Sequence, residues 1–357
     1  MVRVCSIFLL LLIVNSCTNK DKQKIISDET IGWKKHTAKG IPTSNESYDR
    51  ITFLNENVGY LGGKETVISD RTDKKINFVK KAVLYKTVDQ GNSWTKINMN
   101  QEGNITEIIA FEDSLIILNQ SLHNEPNILF TPDSGSSWIE LIKFSSEHYI
   151  RAISFPNSKE GYIISDDKKT IQVYKLTIDT REIDTLFTLP NNHHKITIGR
   201  KSIYSLIPNK NAESKGVLIT NIESGASMEV EFDKPYYVES MVLNENEELF
   251  LTLDFKSKES KVISMINSKI TKYNLRGLSE YSLGKIFVYR NWIIIIANQR
   301  ENMSILGVTH ELIMTKDGGK TWTVNDFPDP LYTNPGFLYE NSFFMTYCGT
   351  GMFQKMK

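Results

Sequence analysis

Tyrosine, arginine and carboxylate residues recur near the starts of several strand-like segments. The candidates are Tyr48, Asp49, Arg50, Glu107, His148, Tyr149, Arg151, Tyr236, Tyr237 and Glu239. Arginine and tyrosine donate hydrogen bonds to anionic or polar groups, and carboxylates accept them. If these side chains converge, they form a binding site for a polar or anionic ligand. Each of them could instead be a solvated strand end.

Three aspartates form a second candidate set: Asp89, Asp133 and Asp317. Recurring carboxylates could bind a metal ion or act as acid and base. Asp89 and Asp133, however, are 44 residues apart, whereas a calcium loop groups several ligands within one short segment. The spacing therefore favours a structural role, and no metal site or cofactor is predicted.

Each of these aspartates lies in an octapeptide of the form [Ser/Thr]-x-Asp-x-Gly-x-[Ser/Thr]-Trp, and each octapeptide follows an apolar, β-prone run. The octapeptides are Thr87–Trp94, Thr131–Trp138 and Thr315–Trp322. This pattern predicts a turn between two strands. The glycines (Gly91, Gly135, Gly319) supply the positive φ that a tight turn needs. The carboxylate and hydroxyl groups bond the turn backbone, and the tryptophans (Trp94, Trp138, Trp322) pack on a sheet.

The recurrence predicts an all-β protein built from repeats. The octapeptide spacing gives a period of about 45 residues, the length of a four-stranded propeller blade. We expect a seven-bladed β-propeller of four-stranded blades over residues 31–357, with six or eight blades as alternatives. The chain ends after three strands of the last blade, so the segment Ile31–Thr37 is predicted to supply the fourth and close the ring.

The octapeptides resemble the BNR or Asp-box repeat of sialidase-like β-propellers, which include the propellers related to photosystem II stability and assembly factors. The resemblance implies that each Asp-box joins the third and outermost strands of a blade, far from the central pocket. Sialidases also need an arginine cluster, a tyrosine nucleophile supported by a glutamate, and an acid/base aspartate. Their usual Arg-Ile-Pro is here Gly40-Ile41-Pro42.

Four long connections are predicted to crowd one face of the propeller around the axis: 62–81, 119–127, 208–215 and 298–311. Such a face suits a pocket or a docking surface. We therefore predict a non-catalytic module that binds a protein partner or a glycan at this face. The alternative is a divergent sialidase-like glycoside hydrolase.

The charge balance excludes one class of partner. Lys plus Arg and Asp plus Glu both number 42, so no net positive field favours nucleic acid. His193-His194 lacks the spaced third ligand that a zinc site requires. Cys348 lies in an apolar segment and is predicted to be an inert buried thiol.

The first residues predict export from the cytoplasm. A short charged start and an apolar run too short to span a bilayer describe a signal peptide over residues 1–16. Val14-Asn15-Ser16-Cys17 resembles a bacterial lipobox, which implies cleavage before Cys17 and lipid attachment there. Residues 17–30 are polar and predict a flexible tether. We expect a lipoprotein anchored in the bacterial cell envelope, at the outer membrane; ordinary secretion with Cys17 free is the alternative.

Overall fold

The structure is a computed structural model. It describes residues 33–37, 39–42, 45–72, 75–121, 124–189, 195–255, 259–273, 275, 280–299, 310–326, 333–339, 342–347 and 352–356. The predicted signal peptide and tether, with Cys17, lie outside the described residues, as do His193, His194 and Cys348. No helix in these ranges is long and apolar enough to cross a membrane.

The described chain is all-β apart from one short 3-10 helix, Lys210–Ala212. Its first three sheets each contain four antiparallel strands in chain order. The first sheet comprises β2 (Glu46–Phe53), β3 (Gly59–Thr72), β4 (Lys75–Thr87) and β5 (Thr95–Ile97). The second comprises β6 (Ile105–Ala110), β7 (Leu115–Ser121), β8 (Asn124–Thr131) and β9 (Ile139–Lys143). The third comprises β10 (Tyr149–Ser154), β11 (Glu160–Asp166), β12 (Ile171–Thr177) and β13 (Glu182–Leu189).

The next sheet has seven strands because one long strand belongs to two four-stranded groups. Its strands are β14 (Ile196–Ile198), β15 (Ser202–Pro208), β16 (Ser214–Asn221), β17 (Ser227–Leu243), β18 (Leu249–Phe255), β19 (Glu259–Ile266) and β20 (Lys269–Tyr273). The first part of β17 pairs with β16, and from Tyr237 onward β17 pairs with β18. Pro235 lies just before this change of partner, where its missing N–H costs least.

Two further four-stranded sheets complete the described fold. One comprises β21 (Tyr281–Tyr289), β22 (Trp292–Gln299), β23 (His310–Thr315) and β24 (Thr323–Asp326). The other comprises β25 (Thr333–Tyr339), β26 (Ser342–Tyr347), β27 (Met352–Met356) and β1 (Trp33–Thr37). Because β17 joins the fourth and fifth expected blades into one sheet, the count of seven blades stays a prediction.

The N-terminal strand completes the last sheet, as predicted. β1 runs antiparallel to β27, with Trp33 opposite Met356. The chain then crosses to the first sheet, where the backbone N–H of Trp94 donates to the carbonyl of Lys39 (2.9 Å). A side chain at Gly40 would collide with the Trp94 carbonyl oxygen, so this close crossing requires glycine. β1 and β27 are therefore held within one sheet, which removes two exposed edges.

The core consists of apolar layers between successive sheets. Tyr60 and Leu84 of the first sheet pack with Ile105 and Leu115 of the second. A comparable layer joins the second and third sheets, where Ile116 packs with side chains of β10 and β11. These layers bury the facing sides of neighbouring sheets, and the innermost strands are left to line the axis.

The three octapeptides adopt the same turn. Thr87 Oγ1 donates to Asp89 Oδ1 (2.8 Å) and accepts from the Gly91 N–H (2.9 Å). The Asp89 carboxylate also accepts from the backbone N–H and hydroxyl of Ser93, at 2.9 and 2.6 Å. Equivalent bonds recur around Asp133 and Asp317. The carboxylate thus satisfies donors that the turn leaves unpaired.

The tryptophans of the octapeptides are not equivalent. The indole N–H groups of Trp94 and Trp322 donate to the carbonyl oxygens of Gly91 and Gly319, at 3.0 and 3.1 Å, and both rings are buried. Trp138 is only partly buried, and its indole N–H has no acceptor among the described residues. The second turn is therefore the least tightly packed of the three.

Candidate functional site

The innermost strands of six sheet groups surround a cavity of about 680 Å³. Its wall comprises Arg50, Ile51, Thr52, Glu107, Ile108, Tyr149, Arg151, Lys195, Ile196, Glu239, Ser240, Met241, Val242, Lys285, Ile286 and Phe287. These residues lie on, or directly before, β2, β6, β10, β14, β17 and β21. The wall combines apolar side chains with a few charged ones, which is the composition of a ligand site.

A bulge in each of several innermost strands aims the charged side chains at the axis. The pairing of β2 with β3 shifts between Tyr48 and Arg50, and that of β6 with β7 shifts between Ile105 and Glu107. Similar shifts occur at Arg151, Glu239 and Lys285. A bulge adds one residue to a strand and turns the local side chains. The same irregularity, repeated around the axis, therefore builds the charged ring of the cavity.

Two arginines of the cavity wall are engaged by carboxylates. Arg50 Nε lies 3.0 Å from Glu107 Oε2, and both side chains are partly exposed. Arg151 Nε donates to Asp166 Oδ2 at 2.9 Å, and its terminal nitrogen bonds the same oxygen. These contacts fix the guanidinium planes while leaving each of them at the cavity wall.

The two lysines of the wall differ from the arginines. Lys195 Nζ donates to the carbonyl oxygens of Val238 and Glu239, both at 2.6 Å. Burial lowers the pKa of Lys195, and the Glu239 carboxylate opposes that shift. Lys285 has no hydrogen-bond or salt-bridge partner among the described residues. Lys285 is exposed, and its side chain lines the cavity.

The charge around Lys285 is predominantly positive. Burial lowers the pKa of Lys285, and the neighbouring Arg50 lowers it further, while Asp49 opposes the shift. Four cationic side chains of the wall face two carboxylates of the wall, Glu107 and Glu239, and Asp166 behind the wall neutralises Arg151, which leaves four positive charges against three negative ones. The cavity therefore has an excess of positive charge and an ammonium group that an anionic ligand would stabilise.

Half of the predicted site residues lie on the cavity wall: Arg50, Glu107, Tyr149, Arg151 and Glu239. Lys195 and Lys285 also lie there and were missed by the sequence analysis. One signal could have found them: like Arg50 and Glu107, each lysine directly precedes an isoleucine at the start of an apolar run.

The other predicted residues do not line the cavity. Tyr48 is 1% exposed and donates to Glu46 Oε2 (2.6 Å), and Tyr236 is fully buried and donates to Asp233 Oδ1 (2.9 Å). Both were wrongly placed at the axis, because their side chains point into the packing between sheets. Tyr237 is partly buried away from the cavity.

Asp49 and His148 support the wall from behind. Asp49 Oδ2 accepts from Asn104 Nδ2 at 2.6 Å and lies 3.9 Å from Lys64 Nζ. His148 Nδ1 and Ser165 Oγ are 2.9 Å apart, and the imidazole packs against Phe144. Neither residue is among those that line the cavity, so both act on strand ends next to the wall.

Two of the predicted long loops consist largely of paired strands. Residues 62–72 and 75–81 belong to the β3–β4 ladder, which continues to Thr72 opposite Lys75. Residues 119–121 and 124–127 belong to the β7–β8 ladder. The segment 208–215 contains the 3-10 helix, and much of 298–311 lies outside the described residues. Alternating β-branched residues such as Val67 and Val79 extend the first ladder where a loop was expected.

In the part of the chain that the structure describes, no three His, Cys, Asp or Glu side chains form a group that could hold a metal ion. Burial alone would raise the pKa of Asp317, but hydrogen bonds from Thr321 and Thr315 outweigh it and lower the pKa to about 2. The octapeptide carboxylates therefore stay ionised within their turns and lie away from the cavity wall.

Comparison of the chain with known proteins gives similarity in structure alone. No family model matches the chain, and no curated protein matches it in sequence. The solved structure of YCF48 bound to D1 peptide is 14% identical, with a TM-score of 0.64, and the match covers 93% of this chain and 99% of that one.

Two other solved structures also resemble the chain in overall fold. A catalytically inactive virginiamycin B lyase from Staphylococcus aureus with quinupristin is 10% identical (TM-score 0.60; 91% of this chain, 99% of that chain). The β-propeller domain of the trilobed protease from Pyrococcus furiosus is 11% identical (TM-score 0.53; 84% and 88%). At these identities the similarity shows the fold: the chain is a β-propeller.

Proposed function

We propose that this chain is a non-catalytic binding protein that takes an acidic segment of a partner polypeptide into the axial cavity. The observation that carries the proposal is the unpaired ammonium group of Lys285 beside Arg50 in a cavity with excess positive charge. A carboxylate entering the cavity would gain charge-assisted hydrogen bonds there. The YCF48 structure, which has a D1 peptide bound, supports a polypeptide as the kind of ligand a propeller of this shape accepts.

The arginine contacts favour binding over glycoside hydrolysis. A sialidase-like site needs arginines free to hold the substrate carboxylate. Here Arg50 and Arg151 are already held by Glu107 and Asp166. We therefore keep a hydrolase as the alternative only, and absence of turnover on a panel of chromogenic glycosides that includes sialosides would remove it.

The octapeptides belong to this proposal as structural Asp-boxes of the BNR type. Their hydrogen bonds close turns between the third and outermost strands, the place that the family resemblance implies. A role in stability fits their distance from the cavity wall.

The proposal also includes an N-terminal lipid anchor in a bacterial envelope. It rests on the lipobox-like sequence ending at Cys17. Metabolic labelling with an alkyne fatty acid should mark the wild-type chain, and Cys17→Ser should abolish the label. If the label persists in the variant, the anchor is refuted, and the binding proposal is unaffected.

Peptide selection tests the binding function. A displayed random-peptide library is panned on the full-length chain, and affinities of the selected peptides are measured for wild type and Lys285→Met. We expect net acidic peptides whose affinity falls about tenfold or more in the variant, because one charge-assisted hydrogen bond is lost. Lys269→Met changes an exposed lysine on β20 and is the matched control. Failure to enrich peptides, or equal loss in both variants, contradicts the proposal.

A carboxylated oligosaccharide, trigalacturonate, serves as a second probe in the same measurement. Binding of this sugar at equal strength, with the same dependence on Lys285, would move the partner class from polypeptide to glycan.

A further inference from the structure

The hairpin formed by β3 and β4 rises beyond the sheet to which it belongs. The last pair between β2 and β3 is Glu46 with Glu65, followed by the bond from the Thr66 N–H to the Asn45 carbonyl (2.9 Å). β5 covers β4 only along Leu84–Lys86. Above these points, residues 67–69 and 77–79 form a two-stranded ribbon with no third strand among the described elements.

The ribbon presents apolar side chains to solvent. Ile68 and Phe78 are directly opposite each other and are 54% and 61% exposed. A two-stranded ribbon is marginally stable by itself, and an exposed apolar pair of this size indicates a contact surface. Lys80 and Lys81, at the base of the ribbon, have no carboxylate partner in the described structure.

The ribbon extends beyond the end of the first sheet at which β2, a strand that contributes residues to the cavity wall, begins. Its tip is at the end of the first sheet where β2 begins and where the bulge at Asp49 occurs. Below the ribbon, Lys64 Nζ of β3 lies 3.9 Å from Asp49 Oδ2, and Asp49 directly precedes Arg50 of the cavity wall. β3 therefore connects the ribbon with the part of the first sheet that contributes Arg50 to the cavity.

The N-terminal strand enters from the opposite side. Trp33 pairs with Met356, at the end of the last sheet that carries the turn between Tyr339 and Ser342. That end is the one away from the bulges and the hairpin tip. If the chain is anchored through Cys17 as proposed, its point of attachment at Trp33 is on the face opposite the ribbon, which favours a polypeptide over lipid as the ligand of the ribbon.

One edge of the ribbon can accept another strand. The N–H of Thr66 points toward β2, and alternation along a strand directs the backbone N–H and C=O of Ile68 to the same side. No described strand continues on that side. Main-chain groups on a free edge pair with an added extended segment, while the exposed side chains contact its alternate residues.

We propose that an extended segment of the partner polypeptide adds as a strand to the free edge of β3 at Ile68, with its apolar side chains on Ile68 and Phe78. This inference rests on the proposed function, because the same partner occupies the cavity with an acidic segment. Lys80 and Lys81, at the base of the ribbon, attract that acidic chain. The cavity thus selects the partner mainly by its charge, and the ribbon adds selectivity for its apolar side chains.

The test uses the peptides selected on the full-length chain. Affinity should fall about tenfold in the double variant Ile68→Ser, Phe78→Ser, by loss of buried apolar contact. Ile266→Ser replaces another exposed isoleucine, on β19 (44% exposed), and should leave affinity unchanged. Hydrogen exchange at residues 66–69 of the wild type should slow when peptide is bound. Ile68→Pro should weaken binding more than Ile68→Ser, because it also removes the outward N–H.

The outcomes separate the two proposals. Peptides that need Lys285 but bind the double variant as tightly as wild type overturn the ribbon proposal and leave the cavity function standing. Peptides whose affinity depends neither on Lys285 nor on the Ile68–Phe78 pair contradict both the cavity function and the ribbon proposal. A third outcome is that phosphatidylglycerol vesicles bind the wild type but not the double variant, while both bind peptide with the same affinity. The ribbon is then a lipid contact, and the proposal is wrong.

Discussion

Arg50 and Glu107 form an ion pair between two neighbouring sheets, with 3.0 Å between Nε and Oε2. Both side chains follow a bulge in an innermost strand, so the pair joins the same position of two repeats. The contact neutralises part of the positive charge at the axis. Lys285, on a third innermost strand, carries the charge that remains unpaired.

Removal of the carboxylate should strengthen anion binding. Glu107→Gln leaves Arg50 without its counter-ion, so affinity for the selected acidic peptides should rise severalfold. Stability should change by less than about 1 kcal/mol, because the pair is partly exposed. Titration and thermal denaturation check the two effects. Glu231→Gln, on the exposed outer part of β17, is the control, and weaker binding by Glu107→Gln would contradict the expectation.

Loss of an octapeptide carboxylate should lower stability to different extents. Asp317→Asn cannot accept from both the hydroxyl and the backbone N–H of Thr321 as the carboxylate does, and should cost about 1–3 kcal/mol. Asp133→Asn should cost less, because that turn is more exposed and Trp138 is only partly buried. Chemical denaturation measures both. Asp179→Asn, an exposed turn residue, should have no effect; a larger loss at Asp133 would reverse the ranking.

The same carboxylates predict an acid transition. Hydrogen bonds from Ser137 lower the pKa of Asp133 to about 2, and Asp317 is lowered to about 2 as well. Since the folded pKa is below the unfolded one, this stability is present above about pH 4 and is lost as the pH falls toward 2. Urea denaturation at a series of pH values should show the decline. In Asp317→Asn the slope should be smaller, and an unchanged slope would assign the decline to other groups.

Lys285 should react faster with acylating reagents than an ion-paired lysine. Burial, with help from Arg50, lowers its pKa, so more of the neutral amine exists near pH 8. Lys175 is the comparison, because its bond to Glu160 raises the pKa. Mass spectrometry after brief acetic anhydride treatment measures both sites. A bound acidic peptide should protect Lys285; equal rates at the two lysines would show that its ammonium group is not perturbed.

Removal of the closing strand should weaken the ring. A chain without residues 1–38 exposes the edge of β27, and we expect a lower thermal midpoint and concentration-dependent association. A chain that lacks only residues 1–30 keeps β1 and is the matched control. If both truncations melt alike, pairing of β1 with β27 contributes nothing to stability.

Local patterns predicted the framework because each of them has a local cause. The octapeptides indicated turns through residues whose bonds span at most four positions, as in the contacts of Asp89 with Thr87 and Ser93. Closure by β1 followed from the missing fourth strand of the last sheet. The β-propeller fold, confirmed by similar solved structures, thus needed no long-range information.

The site was harder to predict because it depends on strand register. A shift of one residue moves a side chain to the other face of a sheet. Tyr48 and Arg50 are two apart and would share a face in a regular strand, but the bulge between them places Tyr48 in the core and Arg50 at the axis. Lys195 precedes a strand of only three residues, which no periodicity could reveal.

β17 has a mechanical consequence for the molecule. It is the outer strand of one group and the inner strand of the next, with no loop between them. The backbone therefore runs from Glu231 on the outer part of one group to Glu239 at the cavity wall within a single strand. In this part of the ring the spacing between the outer surface and the cavity is set by strand pairing on both sides of β17 and by no connecting loop.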